Sequence, residues 1–146
     1  MRQPFQVLVI PCIQTKDHYL FGVFLRADEK VWQFISGGGE DAELPVKTAV
    51  RECKEELNLD IELIVFKLDS LAHIPGIYFG FNKPYVIPEY CYAAELTEYQ
   101  HDIRLSSEHV QFKWLSYQEA MEVLKWDSNK TALYELNERL KAEATE

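Results

Sequence analysis

Three consecutive glycines, Gly37, Gly38 and Gly39, stand between two segments of different period, and that junction constrains this chain more than any other feature. Before it, β-branched and aromatic residues fill positions 7–13 and 19–25 around the polar turn Gln14-Thr15-Lys16-Asp17-His18, which predicts a hairpin. A short strand over residues 32–35 leads into Ser36 and the glycines. These are expected to stop it and to form a loop with positive φ that approaches another group closely. After the junction the period becomes helical. Val46, Ala49, Val50, Cys53 and Leu57 recur on one face, Pro45 sits where a first turn tolerates proline, and Asn58 predicts a left-handed stop.

Further strands are predicted over residues 61–68, 90–96 and 110–115. Between the first two lies an irregular stretch, residues 73–88, whose Pro75, Gly76, Gly80, Pro84 and Pro88 suggest rigid turns forming one wall of a pocket. Ser116 is expected to cap a helix reaching Leu124, and Ser128 another reaching Ala142. Strands, one helix, more strands and terminal helices imply an α/β (α+β) fold with a mixed β-sheet sandwiched between helices. At this length a single domain over residues 1–146 is expected.

With 47% hydrophobic and 13% aromatic residues, the chain can build a core and is not a disordered polymer. Its 24 acids against 15 Lys and Arg, a net charge of -9, argue against a nucleic-acid partner, which calls for a basic stripe. Cys12, Cys53 and Cys91 are odd in number and form no CxxC pair, so neither a disulfide framework nor a zinc site is implied and a reducing, cytoplasmic setting is expected. The apolar N-terminal run is too short to span a membrane, so no membrane partner is expected. Terminal helices and sheet edges leave room for a homodimer.

On the helix that starts at Pro45, Glu52, Glu55 and Glu56 share one arc, while Lys47, Arg51 and Lys54 lie on another flank. Glu52 and Glu56 are like charges four apart, which costs an isolated helix about 0.2–0.5 kcal/mol. Either the face is simply solvated, or carboxylates on adjacent turns hold a hard divalent cation that keeps positions open for phosphate oxygens.

Context bears on that choice. Gly37 is followed after five residues by Glu43, and after seven more by Arg51-Glu52-Cys53-Lys54-Glu55-Glu56-Leu57-Asn58-Leu59. This resembles the Nudix box, GxxxxxE, seven residues, then REUxEExGU with U aliphatic; Cys53 and Asn58 depart from it without touching a carboxylate. The resemblance implies a Nudix hydrolase, with a mixed sheet between helices and Mg²⁺ or Mn²⁺ as cofactor. Carried over by position, Glu52, Glu55 and Glu56 supply metal ligands, with Glu55 also a candidate base. Arg51 orients the carboxylates together with Glu43, and Gly37 lets the loop pack against the helix start. Val31-Trp32-Gln33-Phe34-Ile35-Ser36-Gly37, Ser107-Glu108-His109 and Trp126-Asp127-Ser128-Asn129-Lys130 are similar to the branch that hydrolyses dATP and dihydroneopterin triphosphate. In that branch an acid corresponding to Glu108 joins the metal site, as ligand or base.

The expected reaction is cleavage of a nucleoside or pterin triphosphate to a monophosphate and pyrophosphate. ADP-ribose, dinucleoside polyphosphates and a non-hydrolytic nucleotide-binding module are the alternatives. Candidates for substrate contact are Arg2, Arg26, Ser36 and Gly37, with Lys125 and Asn129 by analogy to the branch. Trp32, Tyr78, Phe79 and Tyr85 either stack on a ring or belong to the core. His109 is read as structural. No Gly-Lys-Ser/Thr follows the glycines, which excludes a P-loop, and the alternating acids of an EF-hand are missing.

Overall fold

The apolar run beginning at Val7 forms the middle of a long strand, β1 (Arg2–Gln14), in a computed structural model that describes residues 1–107 and 109–144. Glu108 lies outside the described residues. The strand is buried on both faces. Val7, Val9 and Ile13 point to one core and Leu8, Ile10 and Cys12 to another, following the two-residue period of a strand. Each such side chain contributes about 1.5–3 kcal/mol on burial, so a one-residue slip in register is prohibitive.

β2 (Tyr19–Arg26) returns antiparallel to β1, but the two pair only over Cys12, Ile13 and Gln14 before they diverge. The gap is filled by β3 (Trp32–Gln33), which pairs with β2, and β4 (Ile35–Glu40), which pairs with β1. The helix α1 (Pro45–Leu57) follows, then β5 (Val65–Pro75), a 3₁₀ turn at Gly76–Phe79, and β6 (Val86–Glu95). β6 runs parallel to β1 on its other edge, and β5 lies antiparallel outside β6. β7 (His109–Leu115) pairs with the outer edge of β2 and leads into α2 (Tyr117–Val123) and α3 (Asp127–Ala144).

The result is a mixed sheet between helices. On one face Ala49, Cys53 and Leu57 of α1 pack on Val7, Val9, Ile35 and Phe24. On the other, Ala120 and Leu124, with Ala132, Leu133, Leu136 and Leu140 of α3, cover Leu8, Ile10, Phe21 and Phe34.

Several local expectations change. The glycines do not end a strand; they form β4, and φ is positive at Gly80 rather than at any of the three. Pairing with β1 supplies what their propensity lacks, with Val7 opposite Gly37 and Gln6 opposite Gly38. Residues 61–64 are a connection, with Leu63 tucked into the α1 core, and the strand predicted there starts at Val65. It continues to Pro75 because Leu71, Ala72, His73, Ile74 and Pro75 pair with β6. The irregular stretch therefore shrinks to residues 76–85. Val46 is 40% exposed rather than in the core. Ser128 lies inside the first turn of α3, because the Trp126 carbonyl already accepts from the N–H groups of Asn129 and Lys130. Ser116 does cap α2, in a reciprocal pair with Glu119.

Candidate active site

α1 is positioned at both ends. Pro45 occupies its first turn, and Asn58 closes it in the left-handed conformation with φ 52° and ψ 43°. The Asn58 side-chain amide donates to the carbonyls of Arg104 and Leu105, at 2.9 and 3.2 Å. The Arg104 and Ser106 N–H groups donate to the carbonyls of Leu57 and Glu56. The loop before β7 is thus stitched to the last turn of the helix.

That stitching delivers Ser106 to Glu56. The Ser106 hydroxyl donates to Glu56 Oε2 at 2.8 Å, and His109 Nδ1 stands 2.8 Å from the same oxygen. Glu56 is buried and cannot serve as a solvated surface acid.

Arg51 organises the other carboxylates. Its Nε and one terminal nitrogen donate to both oxygens of Glu43, at 2.8 and 3.0 Å, a planar fork on a carboxylate. The same nitrogen donates to the Gly38 carbonyl at 2.9 Å, and the second terminal nitrogen donates to Glu52 at 2.9 Å. The Arg51 guanidinium holds the Glu43 carboxyl down at about 2, assisted by the Glu40 N–H and the Thr48 hydroxyl. Glu55 is 58% exposed, with Arg51 3.4 Å away.

Glu52 is different. Burial pushes its carboxyl up to about 7, against the lowering influence of Arg51, and Glu55 and Glu56 add to the rise. Its side chain lies against Gly37, where an added Cβ would collide with the Glu52 carboxyl carbon. Gly38 faces the Arg2 guanidinium in the same way. The glycines therefore serve close approach rather than unusual backbone angles.

A cleft of about 700 Å³ is lined by residues of β3, β4, β5, β6, the 3₁₀ turn and the start of α3, with Gln6 of β1 and Arg26 of β2. Among the sequence candidates, Arg26, Ser36 and Asn129 line it, as do Tyr78 and Phe79; Arg2, Gly37 and Lys125 do not. Arg2 instead lies over the Phe79 ring at 4.5 Å, bonds Gln6 of the cleft at 2.5 Å, and feels the charge of Glu52. Arg26 is paired with Asp28 at 2.8 Å. The Asn129 oxygen accepts from the Phe34 N–H at 2.8 Å, holding the β3–β4 junction. Ser36 borders the cleft and Gly37, its neighbour in the chain, borders Glu52, so cleft and carboxylates share one strand.

Sequence reasoning passed over Ser106, Gln6 and Glu89, and gave no individual role to Gln33 and Trp126 within the segments it singled out. For Glu89 the signal was present: it falls in phase with buried Ile87, Cys91 and Ala93 along β6. Ser106 carried none, since its partner is fifty residues away in the chain.

A NUDIX domain model matches residues 5–136. The chain belongs to the Nudix family. A dihydroneopterin triphosphate diphosphatase of Haemophilus influenzae is 33% identical over 131 residues, covering 86% of this chain and 83% of its own. An asymmetrical bis(5'-nucleosyl)-tetraphosphatase of Sus scrofa is 29% identical over 109 residues, covering 71% and 68%. A crystal structure from Listeria monocytogenes, described as a NUDIX hydrolase, superposes with a TM-score of 0.90 at 59% identity and covers 97% of each chain.

Membership brings Nudix-type hydrolysis of a nucleotide-like substrate, a chemistry that is metal-dependent in the family. Among the described residues, no group of three or more His, Cys, Asp or Glu side chains stands close enough to hold a metal ion. The donors nonetheless suit a hard divalent cation: three carboxylates on adjacent turns, one of them buried enough for its charge to be opposed. No described helix is long and apolar enough to cross a membrane.

Proposed function

We propose that this Nudix protein is a metal-dependent pyrophosphohydrolase. It would cleave a (deoxy)nucleoside triphosphate or dihydroneopterin triphosphate to the monophosphate and pyrophosphate, by attack of water on the α-phosphorus. The observation that carries this reading is the adjacency, along the chain of β4, of the cleft at Ser36 and the carboxylates of α1 at Gly37. The relative from Haemophilus influenzae supports the substrate class.

In this reading Glu52, Glu55, Glu56 and Glu108 hold Mg²⁺ or Mn²⁺. When bound, the metal supplies charge neutralisation on the bridging oxygens and a water of lowered pKa. Arg51, anchored by Glu43, keeps Glu52 in place and prevents the acidic arc from splaying. Ser106 holds the Glu56 carboxylate in one orientation through its hydroxyl, with His109 packed beside the same oxygen. Glu55, the exposed member, or Glu108 takes the proton of the attacking water. Arg2, Arg26 and Lys125 are the cations proposed to receive the phosphates, while Ser36 and Asn129, which line the cleft, would contact the ring.

Assay of the purified protein with Mg²⁺ on a panel of nucleoside triphosphates and dihydroneopterin triphosphate, with products resolved, tests the reading. Pyrophosphate and a monophosphate are expected; orthophosphate would sink the proposed bond. The relative from Sus scrofa favours a second reading, hydrolysis of bis(5'-nucleosyl) tetraphosphates. A triphosphate product from such a substrate, with the triphosphate panel inert, would select it.

A further inference from the structure

Glu89 sits in β6 with 4% of its surface exposed, in phase with side chains that pack under α2 and α3. The Ser128 hydroxyl reaches its carboxyl, but among the described residues Oε1 has no hydrogen-bond partner, and the residue lines the cleft. A buried carboxyl oxygen without a partner is expensive, and none of the described residues uses it. The polar neighbours have the opposite character. Gln6 Oε1 accepts from Arg2, Gln33 Oε1 accepts from the Trp126 indole N–H at 3.1 Å, and Asn129 Oδ1 accepts from Phe34. With these oxygens engaged by the protein, Gln6 and Gln33 keep N–H groups to offer a ligand, while the Asn129 amide also donates to the Ser128 hydroxyl at 3.2 Å and keeps one. The cleft therefore presents one unused buried acceptor among donors.

We propose that Glu89 determines specificity by accepting two adjacent N–H donors from the 2-amino-4-oxopyrimidine edge common to guanine and pterin rings. A carboxylate takes a ring N–H and its neighbouring amino group side by side, and the amide N–H groups of the wall serve the ring's carbonyl. Adenine presents a bare ring nitrogen, cytosine likewise, and uracil or thymine flanks its one N–H with two carbonyls that would face the carboxylate. Hypoxanthine keeps the ring N–H and loses only the amino group. Burial pushes the Glu89 carboxyl up to about 7, and two donors are what would restore its charged form.

The inference rests on reading the cleft as the ring pocket of the proposed hydrolase, and its test separates the two. Calorimetric titration of the protein in Mg²⁺ buffer with dGMP and with dIMP reads the edge without turnover. The wild-type protein is expected to bind dGMP about 10- to 100-fold more tightly, the range of a hydrogen bond to a charged group. Glu89→Gln keeps the volume, and a thermal melt checks its fold; the ratio should fall to about twofold or less. Equal affinities in the wild type, or a ratio preserved in Glu89→Gln, would overturn the inference. Discrimination without hydrolysis of any triphosphate would remove the proposed activity and leave Glu89 its role; hydrolysis without discrimination would do the reverse. Comparing kcat/KM for dGTP and dihydroneopterin triphosphate then tells which ring the protein prefers.

Discussion

Glu56 is the most enclosed carboxylate of α1, and Ser106 is what meets it. If Glu56 holds metal, Glu56→Gln should lower kcat with Mg²⁺ by two orders of magnitude or more while circular dichroism stays unchanged; retained turnover would remove it from the site. Ser106→Ala acts one step further out. It should raise the Mg²⁺ concentration for half-maximal activity about 10-fold or more, as loss of a ligand's hydrogen-bond partner does. Glu89 gives a stability prediction of definite sign. Its carboxyl sits at about 7 when folded, above the usual 4.5, so the folded state holds the proton more tightly and loses stability as pH rises from that usual value through 7. Glu89→Gln should therefore stabilise the protein by on the order of 3 kcal/mol at pH 8 and much less at pH 5. Urea unfolding at both values checks this, and an equal gain at both would contradict it.

Among the elements, α1 carries its own evidence in sequence and β4 does not. The apolar spacing from Ala49 to Leu57, with Pro45 before it and Asn58 after it, is local information, and the helix falls where that information puts it. The alternating faces of β1 were not separable by pattern, because every residue from Gln6 to Ile13 is buried. The glycines became a strand through β1, a partner thirty residues earlier that local propensity does not register. The carboxylates and Arg51 were legible because the box spacing is a property of one helix and the turn before it. The cleft was legible only in pieces, since Gln6, Gln33, Glu89 and Asn129 come from four elements and meet only when the sheet forms. Asn58 links element to site. Asn58→Ala gives up an amide bonded to two carbonyls and places a Cβ-bearing residue without that amide in the left-handed region. It should cost about 2 kcal/mol in urea unfolding, and Asn58→Gly should recover the backbone part of the loss.

Over the whole molecule the acidic balance is concentrated. Residues 40–62 contain eight acids against three bases, so five of the nine net negative charges surround β4's end and α1. In the folded protein Arg51 answers part of that charge, and Arg2 brings another cation from the N-terminus towards Glu52. The sheet holds the carboxylates on its α1 face, while the cleft is lined by Phe34, Ser36, Glu89 and Asn129 on the α3 side, and the neighbouring positions Ser36 and Gly37 of β4 border one each. An anionic triphosphate should not approach the carboxylates without a cation between them, and chelation should abolish its binding and its turnover together. Hydrolysis of dGTP or dihydroneopterin triphosphate in isotopically labelled water, with Mg²⁺ and with EDTA, tests the proposed activity most directly. Label in the monophosphate, pyrophosphate unlabelled, and no reaction in EDTA is the predicted result; label in pyrophosphate or orthophosphate, or turnover that survives EDTA, would contradict it.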